Sequence, residues 1–333
     1  MRTRNKVFLF FFGLLVLIIG IFTFVIEKGK RQLCQPSAYM ENLSEEMPEY
    51  QHKNVAGKNY QYKDGLINIL CLGIDGRGKK EENNDYGFGP KADCIYLATF
   101  DTKKNTLTFL NISRDTIVPI RWFDSMGKEA GFYDRQIDLQ YTMGNGLETS
   151  CELMEETVSR LLGGIPIQGY CALYWNGVEV LQEEIGPVTL EVPEELHELD
   201  LIHFPESGET VLTPEQAKIF VQGRDTTVTG SNELRMRRQQ MYVKALYQKT
   251  YQTIRHQPWT IFHLWDLVND YLVTDLSKEE VLSLGVQFGS RTKTAPTFET
   301  VPGVSVDTDT QDAFIIDEKG MEELLLRIFY EEY

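Results

Sequence analysis

The run LINILCLGI, Leu66 to Ile74, is apolar almost without interruption. A strand with one face in water alternates apolar and polar side chains, whereas a run like this one fits a strand covered on both faces. Such a strand needs packed elements on either side, which restricts the chain to a layered α/β fold. Asp75-Gly76-Arg77-Gly78 follows directly, at the C-terminal strand end where open α/β sheets bind their ligands.

The rest of the pattern supplies the layers. After a charged, Gly- and Asn-rich loop over Lys79–Gly89, Cys94–Phe100 and Leu107–Ser113 read as strands. Turn residues over Asp101–Thr106 join them into a hairpin. Ile117–Gly146 is rich in Gly and aromatics without a clear period and reads as irregular, a lid or a cleft wall. Thr149-x-x-Glu152 has the form of a capping box, opening a helix that Gly163-Gly164 ends. A strand at Tyr170–Trp175, a short helix at Gly177–Glu184 and a strand at Val188–Val192 follow. Thr213-Pro214-Glu215-Gln216 starts another helix, with Thr as cap and Pro at the first position. A long helix is expected from Leu234 to His256, then helices at Trp259–Leu272 and Lys278–Leu284, a strand at Thr297–Val301 and a closing helix at Lys319–Tyr330. Strands alternating with helices indicate one α/β sandwich rather than two unrelated modules.

Val7–Ile26 carries no charge, and twenty helical residues span about 30 Å, the thickness of a bilayer core. Arg2, Arg4 and Lys6 precede it, which places the N-terminus in the cytoplasm, although Lys28, Lys30 and Arg31 follow it. The competing reading is a cleaved signal peptide, but the run is longer than the usual apolar region of about 7–15 residues and no small-x-small cleavage site follows. The expected organisation is a cytoplasmic N-terminus over 1–6, a single-pass anchor over 7–26, a juxtamembrane linker with one short helix over 27–65 and an extracellular body over 66–333. A net charge of −16 argues against nucleic acid as a partner. The five cysteines show no CxxC spacing, which argues against a zinc site and a dense disulfide framework. Cys71 and Cys94 fit small core residues, and a Cys151–Cys171 bridge is left open.

Against that acidic background Arg224, Arg235, Arg237 and Arg238 crowd into RDTTVTGSNELRMRRQQ, Arg224 to Gln240. On a helix Arg235, Arg238 and Gln239 share one face, and paired guanidinium donors match the oxygens of a phosphate. Asp75 and Asp93 lie at the mouths of successive strands, and Arg114 stands where a third ends. Carboxylates for a hard divalent ion and arginines for developing charge are what phosphoryl transfer requires. Taken singly each has a structural alternative: Asp75 as a turn cap, Asp93 as a strand start, Arg114 as the partner of Asp115.

The motifs NILCLGIDGRG (Asn68–Gly78), KADCIYLATFD (Lys91–Asp101), NISRDT (Asn111–Thr116), FVQGRD (Phe220–Asp225) and RMRRQQ (Arg235–Gln240) resemble, in that order, those of the LytR–CpsA–Psr family. These are membrane-anchored bacterial phosphotransferases that attach polymers to the cell wall. The resemblance implies a three-layer α/β/α sandwich with a central mixed sheet, preceded by one N-terminal transmembrane helix. It implies a hydrophobic pocket for the tail of a polyprenyl-pyrophosphate-linked glycan, with Mg²⁺ (or Mn²⁺) and arginines at its mouth. Asp75 and Asp93 match the metal positions, and with Arg114 are the catalytic candidates. Lys91, Arg114, Gln222, Arg224, Arg235, Arg238 and Gln239 are the candidates for the pyrophosphate. Peptidoglycan would supply the sugar hydroxyl that attacks the phosphate.

The chain departs from the family pattern in places. Gln222 stands where an arginine is usual, and Lys91 keeps a charge but loses the guanidinium fork. Losing one charged contact costs about 1.5–3 kcal/mol. Two alternatives therefore stand beside the transferase: a membrane-tethered binder of prenyl pyrophosphates without turnover, and a pyrophosphatase acting on the same lipid.

Overall fold

The protein is described by a computed structural model covering residues 24–333 apart from 77, 84, 193–207, 224–230, 258–259, 290–294 and 308–311. Most of the expected anchor, all of the 1–6 segment and Arg224 lie outside the described residues. Among the described residues no helix is long and apolar enough to cross a membrane.

Six strands form the central sheet: β3 (Leu66–Ile74), β4 (Ala92–Asp101), β5 (Thr106–Ile112), β8 (Gly169–Tyr174), β11 (Leu272–Thr274) and β12 (Thr297–Thr300). Their order is β11-β8-β3-β4-β5-β12. The sheet is mixed: β3/β8 and β5/β12 are parallel, while β3/β4, β4/β5 and β8/β11 are antiparallel. β3 is central, with Leu70, Leu72 and Ile74 on one face and Ile67, Ile69 and Cys71 on the other.

The first face packs on α3 (Glu148–Leu161) through Cys151, Met154 and Val158, and on α9 (Glu318–Phe329) through Leu324 and Leu325. The second carries α4 (Trp175–Ile185), α5 (Pro214–Gln222), α6 (Ser231–His256) and α7 (Thr260–Val268). Val178, Phe220, Tyr242 and Leu264 bury that side against Cys94 and Tyr96 of β4. Helices therefore cover both faces, as the apolar run of β3 requires. α5 starts as read from the sequence: Thr213 accepts from the Gln216 amide, the Gln216 side chain closes the box, and Pro214 leads the helix. α8 (Lys278–Gly289) extends beyond the short helix expected there.

Several expectations are corrected. The stretch Ile117–Gly146 is ordered: β6 (Ile117–Phe123) and β7 (Glu129–Gln136) pair as a ribbon, and a 3₁₀ helix, η1, runs over Ile137–Met143. Thr149 caps nothing. α3 begins at Glu148, and Asn145 Oδ1, accepting from the Leu147 and Thr149 amides, takes the capping role. The juxtamembrane stretch holds the one short helix expected there, α2 (Ala38–Asn42), but also a hairpin of β1 (His52–Val55) and β2 (Lys58–Tyr62), which pairs with β15 (Tyr330–Glu332). The five cysteines are free, and Cys151 and Cys171 belong to clusters on opposite faces of the sheet, so no bridge joins them.

Candidate functional site

Three strand ends meet at one edge of the sheet. Asp75 follows β3, Asp93 lies near the start of β4, and Arg114 follows β5. β4 runs antiparallel to both neighbours, with Ile74 beside Ala92 and Ile95 beside Ile112, so the three positions face the same edge. The Asp75 amide donates to the Lys91 carbonyl at 3.0 Å, and the Lys91 amide donates to Asp75 Oδ1 at 2.7 Å. That reciprocal pair fixes the entrance to β4 against the exit of β3.

The charged ends interlock. Arg114 donates from Nη1 to Asp93 Oδ1, its Nη2 pairs with Asp138 Oδ2, and its Nε lies 3.6 Å from Asp115 Oδ1. On the far side of Asp93, Arg235 Nη1 reaches Oδ2 at 3.4 Å. Lys91 Nζ lies 3.9 Å from Asp138 Oδ2. The sequence Lys91, Asp138, Arg114, Asp93, Arg235 thus alternates in sign across four elements. Low exposure makes each contact stronger than its counterpart at the surface: the side chains of Arg114, Asp93 and Arg235 are 12, 11 and 6% exposed.

Asp138 was not among the sequence candidates. It sits on η1 with its side chain fully buried, and its amide donates to the Arg114 carbonyl at 3.2 Å. Burial pushes its carboxyl pKa up, against the pull of Arg114, Lys91 and Arg235, with Asp75 adding to the rise. It was missed because nothing local distinguishes the acid in IDLQYTM; only the ribbon before it brings it beneath Arg114.

The face of α6 expected to present Arg235, Arg238 and Gln239 together is divided in its work. Arg235 joins the charged network, whereas Arg238 donates from Nη2 to the Gly223 carbonyl and Gln239 Nε2 donates to the Val221 carbonyl at 3.2 Å. Helix ends leave carbonyls without intrahelical partners, and these two side chains satisfy those at the end of α5. Burial, helped by Arg235, lowers the Arg238 pKa to about 10. Gln222, the last residue of α5, is half-buried, and Arg237 is exposed.

A cavity of about 140 Å³ lies between β3, β4 and the helices of the second face. Gly73, Cys94, Trp175, Val221, Tyr242 and Leu246 contribute to its walls, and Gln239 is among the few polar residues there. Its walls and the charged cluster come from adjoining segments: Gly73 is two residues from Asp75, Cys94 adjoins Asp93, and Gln239 shares α6 with Arg235. Arg235 also acts electrostatically on the Cys94 thiol, whose pKa burial pushes up to about 12. One end of an apolar cavity therefore abuts the charged cluster.

The donor set can be tested for a cation. Among the described residues no three His, Cys, Asp or Glu side chains are grouped to hold a metal. A hard ion of the Mg²⁺ type needs only one or two carboxylates, with waters and phosphate oxygens completing its shell; Asp75 has one carboxylate oxygen accepting from the Lys91 amide, and both oxygens of Asp93 face Arg114 and Arg235.

Comparison with known proteins agrees with this architecture. The model of the LytR_cpsA_psr family matches residues 36–328. The polyisoprenyl-teichoic acid–peptidoglycan teichoic acid transferase TagV of Bacillus subtilis (strain 168) is 27% identical over 177 residues, covering 51% of this chain and 40% of TagV. The chain spans about half the length, 40 to 53%, of the curated relatives it matches. The crystal structure of B. subtilis TagV superposes with a TM-score of 0.56 at 20% identity, covering 80% of this chain and 96% of that one. TagT bound to LI-WTA gives a TM-score of 0.58 at 18% identity, covering 84% and 95%; at such identities the likeness is one of fold. With a family model spanning the folded body and the same mixed sheet beneath it, the chain belongs to the LytR_cpsA_psr family.

Proposed function

We propose that this protein is a membrane-anchored, Mg²⁺-dependent phosphotransferase that moves a glycopolymer from a polyprenyl-pyrophosphate carrier onto peptidoglycan, on the outer face of the cell membrane. One observation carries the reading: an apolar cavity ends against a buried cluster of arginines, lysine and carboxylates built from adjoining segments. A prenyl pyrophosphate has that polarity, a hydrocarbon tail joined directly to a doubly charged head. The relatives named as teichoic acid transferases support the same class of reaction.

In this reading the tail enters between Trp175, Tyr242 and Leu246, and the pyrophosphate meets Lys91, Arg114 and Arg235. A divalent ion held by Asp75 and Asp93 would neutralise phosphate charge and polarise the P–O bond. The acceptor hydroxyl attacks the glycan-bearing phosphorus, and the prenyl phosphate leaves with the electrons of the broken P–O bond. Guanidiniums held in place by Asp93 and Asp138 would stabilise the charge that builds on the phosphoryl oxygens without reorganising during the reaction. A carboxylate, Asp75 or Asp93, is the base available for the hydroxyl proton, since an arginine does not give up its own proton in this pH range.

The test uses the full chain in detergent with a short-chain prenyl-pyrophosphoryl sugar and Mg²⁺, following prenyl monophosphate by mass spectrometry. Release that requires Arg114, Asp93 and a sugar acceptor supports transfer. Release with water alone favours the pyrophosphatase, and tight binding without release favours the tether. No binding by the folded protein would overturn the proposal.

A further inference from the structure

Arg114 is held from three sides. Asp93, Asp138 and Asp115 all lie within ion-pair distance of its guanidinium. Asp138 is the least expected of the three, because its side chain is fully buried and it also faces Lys91. Neither of its oxygens has a hydrogen-bond partner among the described residues, so the carboxylate is held by charge, through the ion pairs of Oδ2 with Arg114 and Lys91.

A carboxylate in that position has a consequence for any anion. Lys91, Arg114 and Arg235 carry three positive charges, and Asp93, Asp115 and Asp138, in contact with them, carry three negative ones. Among the described residues these ion pairs balance charge for charge, and Asp75 stands beside them. Carboxylates that already engage Lys91, Arg114 and Arg235 weaken the pull of these cations on a bare dianion, whose oxygens would lie close to a fixed carboxylate. In a site of low effective dielectric, one unit of like charge a few ångströms away changes affinity by roughly tenfold or more.

We propose that Asp138 is a built-in counter-anion that competes with phosphate oxygens for Lys91 and Arg114, and so restricts the site to pyrophosphates that bring a divalent cation or an apolar tail. The inference rests on the reading of this cluster as a pyrophosphate site. It makes Asp138 a specificity-determining residue that acts through Arg114 and Lys91. Metal-free phosphate and metal-free inorganic pyrophosphate are rejected because they bring neither a cation nor a tail whose burial in the adjoining cavity offsets the repulsion. Prenyl pyrophosphates are retained because they bury that tail.

Asp138→Asn tests this, since it keeps shape and an acceptor oxygen while removing the charge. Binding of inorganic pyrophosphate and of geranyl pyrophosphate to the full chain in detergent is measured by calorimetry, with and without Mg²⁺, alongside thermal melting. The expected result is a gain of about tenfold or more in metal-free affinity for inorganic pyrophosphate, and a smaller gain for geranyl pyrophosphate with Mg²⁺. The ligand-free variant should melt at a lower temperature, because Lys91 and Arg114 lose a compensating charge. A residue with a structural role alone would lower both stability and affinity; here they move in opposite directions. Asp138→Ser replaces the Asn variant if that fails to fold. If the wild type binds geranyl pyrophosphate with Mg²⁺ but removing the charge leaves inorganic pyrophosphate affinity unchanged or weaker, the role of Asp138 is overturned and the pyrophosphate site stands. If neither protein binds geranyl pyrophosphate, both fall.

Discussion

Arg235 Nη1 lies 3.4 Å from Asp93 Oδ2, a contact between residues 142 positions apart. It ties α6 to the edge of the central sheet. Both side chains are largely buried, so the pair differs from a surface salt bridge, which contributes about 0–1 kcal/mol. Removing one partner of a buried pair leaves the other charge uncompensated, at a cost of about 3–5 kcal/mol. Asp93 serves two arginines at once, and Asp93→Ala would leave Arg114 and Arg235 facing each other. We expect that variant to lose several kcal/mol of stability in urea denaturation and all measurable prenyl-phosphate release. Asp93→Asn should recover much of the stability and little of the activity. Equal activity in the Asn variant would remove Asp93 from the chemistry.

Arg238 presents the opposite balance. It is buried, but it donates to a backbone carbonyl rather than to a carboxylate, and burial has already lowered its pKa to about 10. Replacing a poorly compensated buried charge by an apolar side chain of similar length is often neutral or stabilising. Arg238→Met is therefore expected to change stability by less than about 2 kcal/mol. It removes the donor to the Gly223 carbonyl at the end of α5 and a positive charge next to Arg235 on one helix face, so activity should fall about 10- to 100-fold, the range of 1.4–2.8 kcal/mol. Thermal melting together with steady-state kinetics separates the two effects. A large loss of stability with normal kcat would make Arg238 a structural residue only.

The parts of this site that were legible in the sequence are those set by local pattern. The apolar run of β3 and the hairpin of β4 and β5 place Asp75, Asp93 and Arg114 at strand ends, and strands paired in that way must bring those ends together. The Thr213 box was equally local. Asp138 was not legible, because β6 and β7 form a ribbon outside the main sheet and β7 is mostly exposed. A ribbon of that kind lacks the two-residue alternation that a half-buried strand writes into its sequence. The hairpin at 52–62 looks like linker in the sequence for a related reason, since its partner β15 lies at the other end of the chain. The i, i+3, i+4 spacing on α6 gave the shared face but not what it meets. Arg238 and Gln239 turn to the carbonyls of α5, and Arg235 alone is placed in the charged cluster.

The cavity allows the lipid tail to be tested apart from the head. Leu246 and Val243 of α6 line it and carry no charge themselves. Leu246→Trp would fill space with little loss of buried apolar surface, and overpacking of this kind costs about 1–3 kcal/mol. Binding of geranyl pyrophosphate should weaken about tenfold or more, because roughly 0.8 kcal/mol is lost for each methylene kept out of the pocket. Binding of inorganic pyrophosphate to the Asp138→Asn protein should not respond to the added Leu246→Trp change. A tryptophan that weakens both ligands equally would mean that the cavity and the charged cluster are not the two halves of one site.

Glu155 gives a prediction about pH that is independent of catalysis. It is fully buried on α3, accepts a hydrogen bond from Ser37 Oγ at 2.9 Å, and leaves Oε1 without a partner among the described residues. Burial, with Asp275 adding negative charge nearby, raises its pKa well above the usual glutamate range. The unfolded chain releases this proton near pH 4.3, while the folded protein still holds it. Over that interval the folded state binds more protons than the unfolded one, so stability falls as pH rises and levels off only above the folded-state pKa. Glu155→Gln keeps the acceptor for Ser37 and removes the charge that must be buried. The variant should melt several degrees higher than the wild type at pH 8 and about equally at pH 4, with a flatter dependence between them. The same substitution should leave geranyl pyrophosphate binding unchanged, since Glu155 belongs to the helix layer on the other face of the sheet. A melting curve with the wild-type pH dependence would show that Glu155 is not the group whose proton the folded state retains.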